Sequence, residues 1–208
     1  WEAIRRPDVA PVAEGDRQVY GPDTFDWTRS IPDGPLAHGF DHYFGDSVIN
    51  FPPYCWIEDD HVVSPPDTMM DTAQWKPIKE GHWECRPGPM LSDWDPYENI
   101  PTTTQRGVDY ILAQHDSTAP FFLYFALSSP HAPIIPNDAF DGKSKAGAYG
   151  DFDAELPRRF QEIADAVEGG NRMQHVRLSK GPGILGGRAR IRGSSGVRGA
   201  KPMGDPYG

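Results

Sequence analysis

A layered α/β domain, rich in loops and built on a mixed sheet between helix layers, is the fold class this sequence predicts. Three observations carry that reading. Residues Pro120-Phe121-Phe122-Leu123-Tyr124-Phe125-Ala126-Leu127 form one unbroken apolar run of strand length, as a strand buried on both faces would. A segment with helical spacing lies on either side of it. The 208 residues include 22 Gly and 22 Pro, which together supply turns in abundance but fall short of a low-complexity composition. Six Trp and ten Phe argue against wholesale disorder.

The elements follow in chain order. Residues 1–35 are polar and Pro-rich with no sustained period, and read mostly as loop. His38 to Glu58 is dense in aromatics, and Pro52-Pro53 excludes a regular helix there. Trp56 and Ile57 open an extended segment running toward Val63. Thr102 to His115 reads as a helix, with Thr102 or Thr103 as its cap and Val108, Ile111 and Leu112 as its apolar stripe. After the strand at 120–127, Phe152, Leu156, Phe160, Ile163 and Val167 recur three or four apart. They predict a second helix from about Tyr149 to Val167, stopped by Gly169-Gly170 and kinked or interrupted at Pro157.

Charge divides the chain in two. Residues 172–208 hold eight Lys or Arg and one acid, Asp205, whereas the rest holds 12 basic and 29 acidic residues. The division predicts a domain over 1–170 and a Gly- and Arg-rich tail over 171–208. No stretch approaches the ~18 apolar residues of a membrane span. Cys55 and Cys85 could form at most one bridge, neither a disulfide framework nor a zinc ribbon.

The loop Ser128-Ser129-Pro130-His131-Ala132-Pro133 is the best candidate site. Ligands of open α/β sheets bind beyond the carboxyl ends of strands. An imidazole titrates near neutrality, so His131 could move a proton or face an anion. Other residues weigh less. His38 and His42 have helical ligand spacing, but Gly39 between them argues against a helix, and packing or solvent-facing histidines are expected. Asp59-Asp60 reads as a solvated loop. The aromatics Tyr43, Phe44, Phe51, Tyr54 and Trp56 could line a cleft, with ordinary packing as the default.

Taken together, the strand entering Ser129-Pro130-His131-Ala132-Pro133, then Gly142-Lys143-Ser144 and Gly147-Ala148-Tyr149-Gly150-Asp151, resembles the middle of the sulfatase family. Gly39-Phe40-Asp41 with Tyr43-Phe44-Gly45 resembles the family's Gly-Phe-Asp-x-x-Phe-Gly segment. Asn50-Phe51-Pro52-Pro53-Tyr54 and Gly88-Pro89-Met90 resemble one arylsulfatase branch. The resemblance implies a partial alkaline-phosphatase-like fold and hydrolysis of a small-molecule or carbohydrate sulfate ester. It implies calcium and a formylglycine in the intact enzyme, and export to the periplasm, the extracellular space or the lysosome. By the same resemblance His131 is the catalytic residue at the sulfate and the leaving oxygen. Lys201, in Arg198-Gly199-Ala200-Lys201, is a second substrate-binding residue.

Departures from the family accompany the matches. Cys85-Arg86-Pro87-Gly88-Pro89 lacks the Arg of the Cys-x-Pro-x-Arg formylglycine motif, and Cys55 has no Pro two residues on. No residue is assigned to a metal. The chain is expected to be an internal piece, cut at its N-terminus and inactive alone, with a slip of the coding frame after Gly170 that recovers near Ser194. Two alternatives stand beside this reading. One is a phosphomonoesterase or phosphodiesterase of the same superfamily. The other is an inert domain whose basic tail binds nucleic acid; the acidic body and the single aromatic of the tail, Tyr207, argue against a nucleic-acid partner.

Overall fold

The computed structural model describes residues 1–14 and 17–169. The readings placed on 170–208, including Lys201, the tail and the frame slip, lie outside the described residues.

Two helices form the frame. Helix α1 runs Asn99–Ala113 and helix α2 runs Gly147–Glu168. Both are within a few residues of expectation, because three-and-four spacing of apolar residues is a local signal. The start of α1 differs from the expected threonine cap. Asp95 accepts the N–H of Tyr97 at 2.9 Å and opens a 3-10 turn, Pro96–Glu98, that feeds directly into α1. Thr103 and Thr104 then lie inside the helix, each bonding back to the carbonyl four residues earlier, at 2.8 Å. The buried stripe is Ile100, Thr104, Gly107 and Ile111, while Leu112 is exposed. Gly107 permits the close approach of α2: a Cβ there would meet Ile163 Cδ1 at 2.9 Å. Helix α2 continues through Pro157 without a break. Pro157 is exposed, and the cost is one missing helical donor rather than an interruption.

The strands are short and antiparallel. β1 (Val12–Glu14) pairs with β2 (Arg17–Val19) in the segment read as loop. β3 (Phe44–Gly45), β4 (Ile57–Glu58) and β5 (His61–Val62) form a three-stranded sheet in that order. The segment expected to run extended from Trp56 to Val63 is therefore a hairpin. Asp59 turns it with φ of 57°, a left-handed conformation that Asp tolerates better than most residues. β6 (Thr68–Met69) pairs with β7 (Pro89–Met90), and Tyr54 joins β7 through a parallel bridge to Met90.

The apolar run at 120–127 corrects the sequence reading. Among the described residues it belongs to no sheet. Its burial alternates with period two, as in an extended chain. Phe121, Leu123 and Phe125 pack on the α1–α2 cluster of Ile111, Ile163, Ala166 and Val167. Phe122 and Tyr124 face outward, 75% and 72% exposed. The strand expected to be covered on both faces is covered on one.

Two further cores fix the loops. Ile49, Ile100, Ile135 and Phe152 form one, against which Ile134, Leu127 and Trp83 pack. Tyr54, Met90 and Trp94 form the other, beneath Trp56, Trp75 and Cys85. Of the aromatics offered as a possible cleft lining, Tyr54 and Trp56 thus pack in this second core, and Phe51 is exposed. Helix α2 also organises the loop before it. The buried Asp151 carboxylate accepts the backbone N–H groups of Ser144 and, at 2.8 Å, Gly142. The Ser144 bond first, with those of Gly142 and Lys143, holds the Asp151 carboxyl below the usual carboxylate range. A carboxyl depressed by folding contributes stability that is present above its unfolded pKa and lost as pH falls through its folded one. Thermal unfolding across acidic pH should therefore show wild type losing its advantage over Asp151→Asn as Asp151 protonates. Equal pH slopes for the two would sink this assignment.

Candidate functional site

The turn carrying His131 is tied to both helices. Ser128 Oγ donates to Asn99 Oδ1 at the start of α1, and Asn99 Nδ2 donates to Asp46 Oδ2, both at 2.9 Å. Ser129 Oγ donates to the carbonyl of Phe152 in α2 at 3.3 Å. Asn99 and Ser129 are buried, so these bonds form away from competing water. Burial pushes the Asp46 carboxyl up, opposed by a bond from its own backbone N–H and by the Asn99 amide. The peptide bonds before Pro130 and Pro133 are cis.

Within that turn the His131 N–H donates to the Ser128 carbonyl at 2.9 Å. His131 Nδ1 lies 2.6 Å from its neighbour's carbonyl, Ala132 O. A carbonyl oxygen can only accept, so Nδ1 carries the hydrogen. Nε2 is left as the nitrogen that can exchange a proton with a ligand. His131 is exposed. From sequence it is expected just beyond the carboxyl end of a buried strand. The structure puts it at the end of the half-covered 120–127 segment, and it lines neither of the two concavities below.

The first concavity begins where the His131 turn ends. It is lined by Ile134, Pro136, Tyr97, Lys76, Lys79 and Asp141. Lys76 reaches Asp138 and Lys79 reaches Asp141, each at 2.6 Å, and Lys76 Nζ lies 4.8 Å from the centre of the Tyr97 ring. The hydrogen bond and charge of Lys76 hold the Asp138 carboxyl below the usual carboxylate range. Glu80 caps α2, accepting from the N–H groups of Ala148 at 3.0 Å and Tyr149 at 2.7 Å. The second concavity, about 450 Å³, shares Pro77 and Ile78 with the first and holds Trp75, His82 and Trp83.

None of Asp46, Asn99, Glu80, Lys76 or Lys79 was singled out from sequence. Their partners lie 29 to 69 residues away, and no local period encodes such pairs. Of the two histidines at helical ligand spacing, His42 stacks on Tyr110 with rings 5.8 Å apart and holds Asp59 at 2.7 Å. Asp59, read as solvated, also accepts the Tyr43 N–H. Cys55 is fully buried, its thiol pushed up to about 12 by burial and then by Asp46. Burial pushes the Cys85 thiol up to about 11.

No protein-family model matches the sequence. Among curated proteins, the N-acetylgalactosamine-6-sulfatase of Mus musculus is 30% identical over 134 residues, 64% of this chain and 24% of the relative. That of Homo sapiens is 28% identical over 151 residues, with the same coverage. The chain thus spans about a quarter of the length of the curated relatives it matches. A solved chain labelled 6S-sulf, described with glycosaminoglycan metabolism by Bacteroides thetaiotaomicron, superposes with a TM-score of 0.55. It is 20% identical and the match covers 73% of this chain and 39% of that one. At that identity the likeness speaks to fold, the alkaline-phosphatase-like class expected from sequence.

Proposed function

We propose, from the alignment of 64% of this chain with N-acetylgalactosamine-6-sulfatases, that it forms part of the catalytic domain of an enzyme hydrolysing carbohydrate sulfate esters. The observation that carries this is the match to N-acetylgalactosamine-6-sulfatases across the segment that holds His131. Those relatives favour a sulfated amino sugar as substrate and sulfate over phosphate as the group removed. An exported or lysosomal compartment belongs to the same reading; no described helix is long and apolar enough to cross a membrane.

His131 supplies the chemistry that this segment holds. As a nucleophile supplied from outside this segment bonds to sulfur, the S–O bond to the alcohol breaks and its electron pair stays on the departing oxygen. The imidazolium Nε2–H gives that oxygen its proton, and the ring is recharged from solvent. The Ala132 carbonyl keeps Nδ1–H engaged throughout. The walls that would enclose the ring come from the rest of the domain. Lys201 joins this reading as a contact to sulfate.

Calcium and formylglycine belong to the intact enzyme. The described residues do not fit either. No group of three His, Cys, Asp or Glu converges among them, and neither cysteine stands in the required motif.

Sulfate release from a 6-O-sulfated amino sugar by the enzyme containing this segment, compared with release of phosphate from the matching phosphate ester, tests the proposal. Sulfate is expected to leave faster; preference for phosphate would turn the assignment to the phosphomonoesterase alternative. The 208-residue chain alone is expected to release none, and turnover by it would contradict the assignment of the nucleophile elsewhere.

A further inference from the structure

The second concavity has no part in the chemistry above. Trp75 and Trp83 stand at 39° to one another with ring centres 5.3 Å apart, and Trp83 meets Tyr97 edge-on at 6.0 Å. Both indoles are half-buried, anchored at one side to a core cluster and open at the other. Thr72 and His82 line the same hollow. His82 is exposed and engages no side chain or backbone group among the described residues. Its volume, about 450 Å³, falls in the range of small-molecule sites.

Fixed aromatic faces with a few polar groups at the rim suit a ligand that is apolar on one face and hydroxylated at its edge. A pyranose ring is such a ligand: its axial C–H groups lie on an indole and its hydroxyls reach Thr72 and His82. We propose that the Trp75–Trp83 hollow is a sugar subsite, binding a pyranose of the substrate chain other than the one that loses sulfate. The course of the chain supports this. Ile134 and Pro136, three and five residues after His131, wall the lysine-lined concavity, which meets the tryptophan hollow at Pro77 and Ile78. Lys76 and Lys79 between them are exposed and paired with Asp138 and Asp141, so that path offers both donors and acceptors to sugar hydroxyls. An oligosaccharide seated at His131 could extend across the lysines onto the indoles.

The inference rests on the carbohydrate-sulfatase reading, and the test separates the two. Indole N–H and imidazole resonances of the 208-residue chain are followed by NMR during titration with an amino-sugar tetrasaccharide, sulfated and desulfated. The expected result is saturable shifts at Trp75, Trp83 and His82 with both forms, while buried Trp94 stays still. Trp75→Ala and His82→Ala should each weaken binding, the first by about tenfold. The wild-type shifts need no variant, so a misfolded Trp75→Ala leaves the test intact. Shifts confined to His131, or tetrasaccharide binding with Trp75 and Trp83 unmoved, would overturn the subsite and leave the sulfatase reading standing. Indole shifts with every oligosaccharide, and a parent enzyme that releases no sulfate, would keep the subsite and remove the sulfatase reading.

Discussion

Replacing His131 with alanine in the intact enzyme is expected to lower kcat on alkyl sulfate esters by about 10²–10⁴-fold, the span of a positioned general acid. Aryl esters should lose far less, because a phenolate leaves without help from a proton. A plot of log kcat against leaving-group pKa should therefore steepen in the variant. The variant should fold, since His131 is exposed and, among the described residues, its ring bonds only to the adjacent carbonyl; exposed substitutions usually change stability by less than about 0.5 kcal/mol. An equal loss on alkyl and aryl esters would assign the ring to binding or to shaping the turn. Such a result would remove the proton-transfer role while leaving the likeness to N-acetylgalactosamine-6-sulfatases untouched.

That site was legible because its signal is local. A histidine between two prolines after an apolar run can be read from a few residues, and so can helices with three-and-four spacing. The apolar run itself shows the limit. With Phe122 and Tyr124 as apolar as Phe121, Leu123 and Phe125, sequence alone cannot tell one covered face from two; only packing on α1 and α2 distinguishes them. Hairpin β4–β5 was hidden for another reason: its turn uses Asp59 at positive φ, where no Gly announces it. Pairs such as Glu80 with the start of α2, or Lys79 with Asp141, depend on long-range folding. The concavity that begins where the His131 turn ends is lined by Lys79 and Asp141, so the chemistry-bearing residue could be found and those surroundings could not.

Phe152→Ala should produce the largest loss of stability among the single changes considered. The side chain is 1% exposed and packs in the cluster with Ile49, Ile100 and Ile135. Truncating a buried Phe costs about 3–5 kcal/mol, a large part of the ~5–15 kcal/mol that holds a typical domain together. For a chain of this size that corresponds to a fall in Tm of about 6–20 °C. Leu112→Ala on α1 is the control: 47% of Leu112 is exposed, and its loss should be small. Phe152→Leu, which keeps most of the apolar volume, should fall between them. The consequence reaches the site, because the Phe152 carbonyl holds Ser129 and Ile135 continues the His131 turn into the same cluster. Hydrogen exchange at residues 129–135 should accelerate in Phe152→Ala below its melting temperature and stay unchanged in Leu112→Ala. Equal melting temperatures for these two alanine variants would mean that the 128–135 turn does not rest on this core, and the anchoring of His131 through α2 would have to be abandoned.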